Sequence, residues 1–422
     1  MNITGLDGFL KTFFKSLKSA TEGLGLDRMF LTGVTPILLN DITSGDNIKT
    51  DIHILPHYAD LCGFSDKEIK HLIQIFADSL ETRSDLLSPV FPDGKKAWMD
   101  DIYRLMVNSY DGYMFSPYIE KRVYNPTLVM YLFKQLEQLD GQLPKTLLDH
   151  NLLADEGRIE YIANLPGGTE LIMELNQNKT IEIKEIASRF GFKNMIEKTA
   201  KTQVFMGSYL YYMGMLTLGE TVPSGWQQLK IPNPVTQSLY IDSIAQWIIK
   251  DSETRDFGFH EALAFTREGK IAPLRNFIEK QVFPAFDWRD KRWVNELTIK
   301  TIFMCLLNDN ANYLMISERQ TRTGYADLAM IVRPDRRSFN FKDILIEFKY
   351  IKTKNLSVKN LKKQSDKSLF ELKAVQNKLK KARSQAKKYA KELKDEFGDV
   401  IQLTTYAVIG IGFERLLYKK LV

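Results

Sequence analysis

The sequence predicts a mixed chain of the α+β / α/β class, with a largely helical N-terminal part followed by a mixed sheet flanked by helices. Three observations carry this. Apolar residues recur at i, i+3 and i+4 through most of the front part. Three short runs of strand type then follow one another at 312–317, 326–332 and 343–351. A long amphipathic helix over 365–394 leads from the third run to an apolar one at 404–413, an order that makes one mixed sheet with helices on it.

In chain order, the helical patterns of the front part lie at 67–79, 96–108, 127–139 and 193–216. Turn signals fall at 89–94, Asp111-Gly112 and Pro166-Gly167-Gly168. The breaker-rich stretch 220–234, with Pro223, Ser224, Gly225, Pro232 and Pro234, is the best boundary, so the expected domains are 1–235 and 236–422. Beyond it, helical patterns recur at 241–247, 261–266, 273–281 and 290–307 before the first strand run. In the long helix, Leu372, Val375, Leu379, Ala382, Ala386, Tyr389 and Leu393 alternate three and four apart and give one apolar face.

Two cysteines, Cys62 and Cys305, cannot build a disulfide framework or a cysteine metal cluster, and both sit in apolar contexts that suit buried thiols. The longest apolar runs reach about eight residues, far below the ~20 of a spanning helix, so a soluble cytoplasmic protein with no membrane partner is expected. The formal net charge of +6 conceals an asymmetry. Residues 349–394 carry 16 Lys/Arg against 3 Asp/Glu, net +13, while the other 376 carry 42 against 49, net −7. A solvated lysine face explains such a run, and so does a polyanion partner whose phosphates the lysines neutralise.

The residues with chemical potential lie in the third strand run. Glu347 and Lys349 are two apart and project from the same face of a pleated strand, while Ile344, Ile346, Phe348 and Tyr350 fill the other. Burying a carboxylate and an ammonium there is costly unless they have partners or a metal. Asp327 interrupts the second run in the same way, and pairing of the two strands brings Asp327 and Glu347 to one point. Two converging carboxylates suit Mg²⁺ (or Mn²⁺), with Lys349 to orient water or offset developing charge. Glu-x-Lys itself occurs six times in the chain, so the string alone says nothing. A strand-end salt bridge between Glu347 and Lys349, with Asp327 capping a turn, is the structural alternative.

The run Ser317-Glu318-Arg319, Gly324-Tyr325-Ala326-Asp327-Leu328 and Ile346-Glu347-Phe348-Lys349 resembles the PD-(D/E)XK nuclease superfamily. It looks most like the bacterial branch in which the nuclease module follows an AAA-ATPase-like domain. The resemblance implies a restriction-endonuclease-like mixed sheet, metal held by Asp327 and Glu347, and Lys349 as catalytic lysine. It further implies an assisting acid at Glu296, within Trp293-Val294-Asn295-Glu296-Leu297, and a substrate- or site-contacting Gln385 one helical turn before Tyr389. Where branch members carry an aromatic-His pair, this chain reads Thr298-Ile299-Lys300-Thr301-Ile302. In the front part, Phe30-Leu31-Thr32-Gly33-Val34-Thr35-Pro36, Leu61-Cys62-Gly63-Phe64, Tyr110-Asp111-Gly112-Tyr113 and Val123-Tyr124-Asn125-Pro126 are similar to the later half of the ATPase-like domain. No G-x-x-x-x-G-K-[ST] string occurs, so a truncated domain without ATPase activity, engaging a protein partner, is expected.

The expected activity is therefore metal-dependent hydrolysis of nucleic-acid phosphodiesters, DNA before RNA. Lys380, Lys381, Lys387, Lys388 and Tyr389 are the expected nucleic-acid contacts. A non-catalytic nucleic-acid-binding module or a protein scaffold on the same fold is the competing expectation. Asp51, His53 and His57 form no ligand spacing, His260-Glu261 lacks the second half of a zinc-protease motif, and Tyr209, Tyr211 and Tyr212 fit a helical core better than a stacking platform.

Overall fold

A computed structural model describes residues 12–13, 16–17, 19–21, 25–30, 32, 52, 54–83, 91, 93–148, 156–187, 202–285, 295–317, 320–321, 324–325, 327–339, 341–356, 358 and 360–421. Outside them lie Leu31, Gly33 to Pro36, Asp51, His53, half of the 89–94 turn and 193–201 of the fourth helical pattern. Trp293, Val294, Glu318, Arg319 and Ala326 also lie outside. The chain divides into two compact units that no single cut separates. One comprises Met1–Asp66, Asp111–Pro126 and Asn151–Pro232, the other Lys67–Tyr110, Thr127–His150 and Asn233–Val422. The helical patterns starting at 67, 96 and 127, expected with the N-terminal domain, thus group with the C-terminal sheet.

In the first unit, helices Glu156–Ala163, Gly168–Asn178 and Gln203–Tyr212 accompany an antiparallel three-stranded sheet in which Gln227–Lys230 lies between Thr180–Ile183 and Thr217–Thr221. The breaker-rich stretch read as the domain boundary is thus largely a hairpin, and Gly225 supplies the positive φ its turn requires. Tyr209 and Tyr211 are buried on their helix, as core residues should be. Cys62 departs from expectation: it is exposed in a turn beside the equally exposed Leu61, whereas Cys305 is buried.

The second unit is built on helices α1 Asp66–Thr82, α2 Lys95–Ser109, α3 Pro126–Gln138, α4 Pro234–Ile248, α5 Ser252–Glu268, α6 Ile271–Phe277 and α7 Glu296–Leu307. Strands β1 Tyr313–Ile316, β2 Leu328–Val332 and β3 Asp343–Ile351 follow, then helix α8 Lys373–Phe397 and strands β4 Leu403–Ile411 and β5 Arg415–Lys420. The sheet order is β5-β4-β3-β2-β1, with only β3 and β4 parallel. Parallel neighbours need a crossover, and α8 is that crossover. The helix expected over 365–394 is in fact two pieces: Asp366–Phe370 ends before the extended Leu372, and α8 starts after it.

Helices cover both faces of the sheet. Ile351, which shares its side of β3 with Glu347 and Lys349, clusters with Val375 of α8 and with Ile409, Ile411 and Leu417. On the opposite face Phe348 meets Phe303 of α7 with ring centroids 5.1 Å apart. Gly410 allows that approach, since a Cβ there would lie 2.9 Å from Cγ1 of Ile299.

Two buried polar clamps fix the frame around β3. Asp343, at its start, accepts hydrogen bonds from the backbone N–H of Val332 and of Gln402, both at 2.8 Å, and pairs with Arg337 at 2.6 Å. It joins three strands at one end of the sheet. Arg333, just after β2, is fully buried and donates to the carbonyls of Pro144, Lys145 and Asn310 while pairing with Asp335. Neither clamp was visible as such in the sequence pattern.

Candidate active site

β2 and β3 pair antiparallel with Leu328 opposite Ile346. One step further the register sets Asp327 against Glu347, the convergence expected from the sequence. Asp327 stands just outside β2, in a bend, so among the described residues β3 has no ladder partner on that side beyond Ile346. The Asp327 carboxylate takes the place of one: its Oδ2 accepts the backbone N–H of Phe348 at 2.8 Å. That bond anchors a carboxylate outside the ladder and aims the rest of it along the strand edge.

Glu296 arrives from α7. Asn295 caps that helix in a reciprocal capping box with Thr298, which places Glu296 in the first turn, where the helix dipole favours a carboxylate. Thr298, at the position where the resemblance leads one to expect an aromatic-His pair, thus fixes the helix start.

Lys349 is the hub. Its Nζ lies 3.2 Å from Oε1 of Glu296, 3.6 Å from Oδ2 of Asp327 and 3.8 Å from Oε2 of Glu347. It also donates to the carbonyl oxygen of Phe348. The strand-end salt bridge considered as the alternative is therefore one edge of a cluster of three acids and one base.

Exposure is graded across the cluster. The Glu347 side chain is 0% exposed, Lys349 7%, Asp327 20% and Glu296 36%, so the group opens towards solvent on the Glu296 side. Neither carboxylate oxygen of Glu347 has a hydrogen-bond donor among the described residues. Burial, reinforced by the charge of Asp327, pushes this carboxyl up to about 9. Burial alone would lower the Lys349 ammonium. The charges of Asp327, Glu296 and Glu347 outweigh it and hold the group above the usual lysine range. Lys349 is thus a fixed cation at neutral pH, and Glu347 is a carboxyl whose ionised form this site disfavours.

Gln385 is half-buried on α8 and makes no hydrogen bond to these four residues among the described residues. Tyr389, expected as a nucleic-acid contact, is instead buried at 4% exposure in the helix–sheet core, where its ring cannot stack on a base. Lys380, Lys381, Lys387 and Lys388 are all exposed on α8.

Residues 294–415 match the family described as the PD-(D/E)XK nuclease superfamily. The match runs from the start of α7 to the start of β5 and takes in Glu296, Asp327, Glu347, Lys349 and Gln385. The mixed five-stranded sheet with helices on both faces is consistent with a restriction-endonuclease-like fold. No curated protein and no solved structure matches the chain.

Proposed function

We propose that this chain is a metal-dependent nuclease that hydrolyses nucleic-acid phosphodiester bonds, DNA before RNA. The observation that carries the reading is the convergence of three carboxylates on Lys349 at the open edge of β3, with both oxygens of the buried Glu347 lacking a donor. A buried carboxylate with no hydrogen-bond donor among the described residues suits a cation, and an all-oxygen donor set suits Mg²⁺ or Mn²⁺. Asp327 and Glu347 would hold that ion, with Glu296 at the solvent side. Bound there, a divalent ion polarises a phosphoryl oxygen and lowers the pKa of a water.

The residues of the chain do the rest. Lys349, protonated and locked by its carboxylate contacts, presents an ammonium that orients the attacking water and neutralises charge developing on the phosphoryl oxygens. The Phe348 N–H holds Asp327 in place, so the site needs little rearrangement to act. Glu296 keeps Lys349 directed at the open edge. Gln385 is assigned to the substrate side of the site through the family pattern. The N-terminal part, 1–235, is assigned as an ATPase-like remnant that engages a protein partner without hydrolysing ATP.

The test compares wild type with Asp327→Ala and Lys349→Ala on single- and double-stranded DNA and on RNA, with Mg²⁺, Mn²⁺ or chelator. Cleavage that needs metal and disappears in both variants supports the reading. Intact substrates under every condition, with tight salt-sensitive binding by all three proteins, make the chain a binding module on a nuclease fold.

A further inference from the structure

The outward side of α8 takes no part in the site just described, yet it carries a dense array of exposed lysines. The apolar residues Val375, Ala382, Ala386, Tyr389, Leu393 and Phe397 are buried on one side of the helix. At 100° per residue the opposite side carries Lys373, Lys380, Lys387 and Lys394, each seven residues from the next, and beside them Lys381 and Lys388. Seven residues rise ~10.5 Å, so the main row extends ~32 Å along the helix, about one turn of a B-form duplex. All six lysines are exposed, and none makes an ion pair among the described residues. Surface lysines elsewhere do find acids: Lys95 pairs with Asp78 and Glu81, Lys121 with Asp60, and Lys270 with Glu268. Acidic partners come in only at the C-terminal end of α8, where Asp395 ends the second row.

We propose that this face of α8 is a docking surface for the phosphate backbone of a nucleic acid, distinct from the carboxylate site. The proposal deepens the nuclease reading and rests on it for what becomes of the docked strand. Three features select the occupant. The exposed residues of α8 include no aromatic and no large aliphatic side chain, so the face lacks the anchors on which protein interfaces depend. The apolar side of the helix is committed to the sheet, so it cannot enter a lipid headgroup layer. Tyr389 and Phe397, the aromatics of α8, are both buried, so the helix offers no ring to stack on bases, which leaves backbone contacts without sequence readout. A duplex, whose phosphates lie on a straight rigid rod, matches the row better than a single strand.

The position of the face defines its task. Glu347 and Lys349 project towards the side of the sheet that α8 covers, while the lysine rows point away from it. A helix ~10–12 Å across lies between. The lysines thus raise the local concentration of substrate and do not touch the bond that breaks.

The experiment uses the full chain in chelator, so that binding is read without turnover. Fluorescence anisotropy with a 20-base-pair duplex, over a series of salt concentrations, compares wild type with Lys380→Gln/Lys381→Gln/Lys387→Gln/Lys388→Gln. The expected result is a loss of at least tenfold in affinity at 0.1 M salt. The slope of log K against log salt should flatten by roughly 2–4, up to 0.9 per phosphate contact removed. Glutamine keeps the helix propensity, and circular dichroism checks folding; Lys373→Gln/Lys394→Gln, at the ends of the row, repeats the test independently. Unchanged affinity and slope in both variants overturn the proposal, as does equal competition by polyglutamate or anionic vesicles at matched charge. With metal, the loss in the quadruple variant should fall on kcat/KM and not on kcat; an equal fall in both overturns the separation from the site. Salt-dependent binding through α8 without any cleavage by wild type leaves the docking surface standing and removes the nuclease reading. Cleavage by wild type with unaltered binding by the variants does the reverse.

Discussion

Replacing Glu347 by Gln removes one charge and almost no volume, at a position where the charge is the whole issue. In the metal-free protein the carboxyl titrates near 9, because burial and the neighbouring Asp327 oppose its ionisation. A carboxyl whose folded pKa lies above its unfolded value gives stability that is complete below the unfolded pKa, near 4.5, and is lost as pH rises through the folded one. Each pKa unit is worth ~1.4 kcal/mol, so by pH 8 the wild type has given up on the order of 4–5 kcal/mol. Glutamine does not titrate, but it leaves a buried amide without partners, at a cost of about 1–3 kcal/mol. In chelator at pH 8 the variant should therefore be more stable than wild type by about 1–4 kcal/mol, with a Tm rise of roughly 2–4 °C for each kcal/mol in a unit of this size. At pH 5 the wild-type loss has nearly vanished and the amide cost remains, so the order reverses. Saturating Mg²⁺ or Mn²⁺ at pH 8 should raise the Tm of wild type and leave that of the variant unchanged. Scanning calorimetry from pH 5 to pH 9, with and without metal, reads all of this. A variant less stable than wild type by the same margin at every pH would refute the argument, because it would mean that Glu347 is ionised and partnered in the free protein.

Three further outcomes follow from the same geometry. Lys349→Ala removes the cation that contacts all three carboxylates and should lower single-turnover cleavage at least ~10²-fold, read with a labelled duplex at saturating metal. Asp343→Ala leaves the backbone N–H of Val332 and of Gln402 without an acceptor and strands Arg337, so urea unfolding should show a loss of about 2–4 kcal/mol. Gly410→Ala puts a methyl group 2.9 Å from Ile299 and presses α7 away from the sheet; it should cost about 1–3 kcal/mol and, by moving Glu296 off Lys349, reduce cleavage more than Tm.

The legible parts of this chain are those in which a periodic pattern is broken by a residue that should not be there. Ile344, Ile346 and Phe348 announce a buried strand face, and Glu347 and Lys349 stand out because their charges interrupt it. The same contrast gave β2 with Asp327, and the apolar spacing of α8 placed Val375, Ala382, Ala386 and Leu393 in the core. Glu296 was different. A glutamate opening a helix is ordinary, and only the family pattern singled it out before the 3.2 Å contact with Lys349 was seen. What stayed hidden had no contrast to offer. Thr217–Thr221 and Gln227–Lys230 are polar strands joined by turn residues, which in one dimension read as a linker. β5 starts at Arg415 and ends at Lys419-Lys420, with too few apolar positions to show a period. The Arg333 clamp joins residues nearly two hundred positions apart, and no local rule reaches that far.

The clamps and the site belong to one argument about where the stability of the second unit resides. Glu347 is held in a place where its ionised form is disfavoured and, among the described residues, its oxygens have no donors, so in the free protein it weakens the strand that carries it. A strand with that burden stays in register only if its ends are fixed by other means. Asp343 fixes one end by satisfying two backbone donors and Arg337 at once, and on either side of the site Phe303 packs on Phe348 while Ile351 joins the cluster under α8. Asp327 then uses one carboxylate oxygen to hold the strand edge. The destabilised carboxylate is tolerable because its surroundings are over-determined, and on the proposed function the free energy withheld there is what a bound cation would recover.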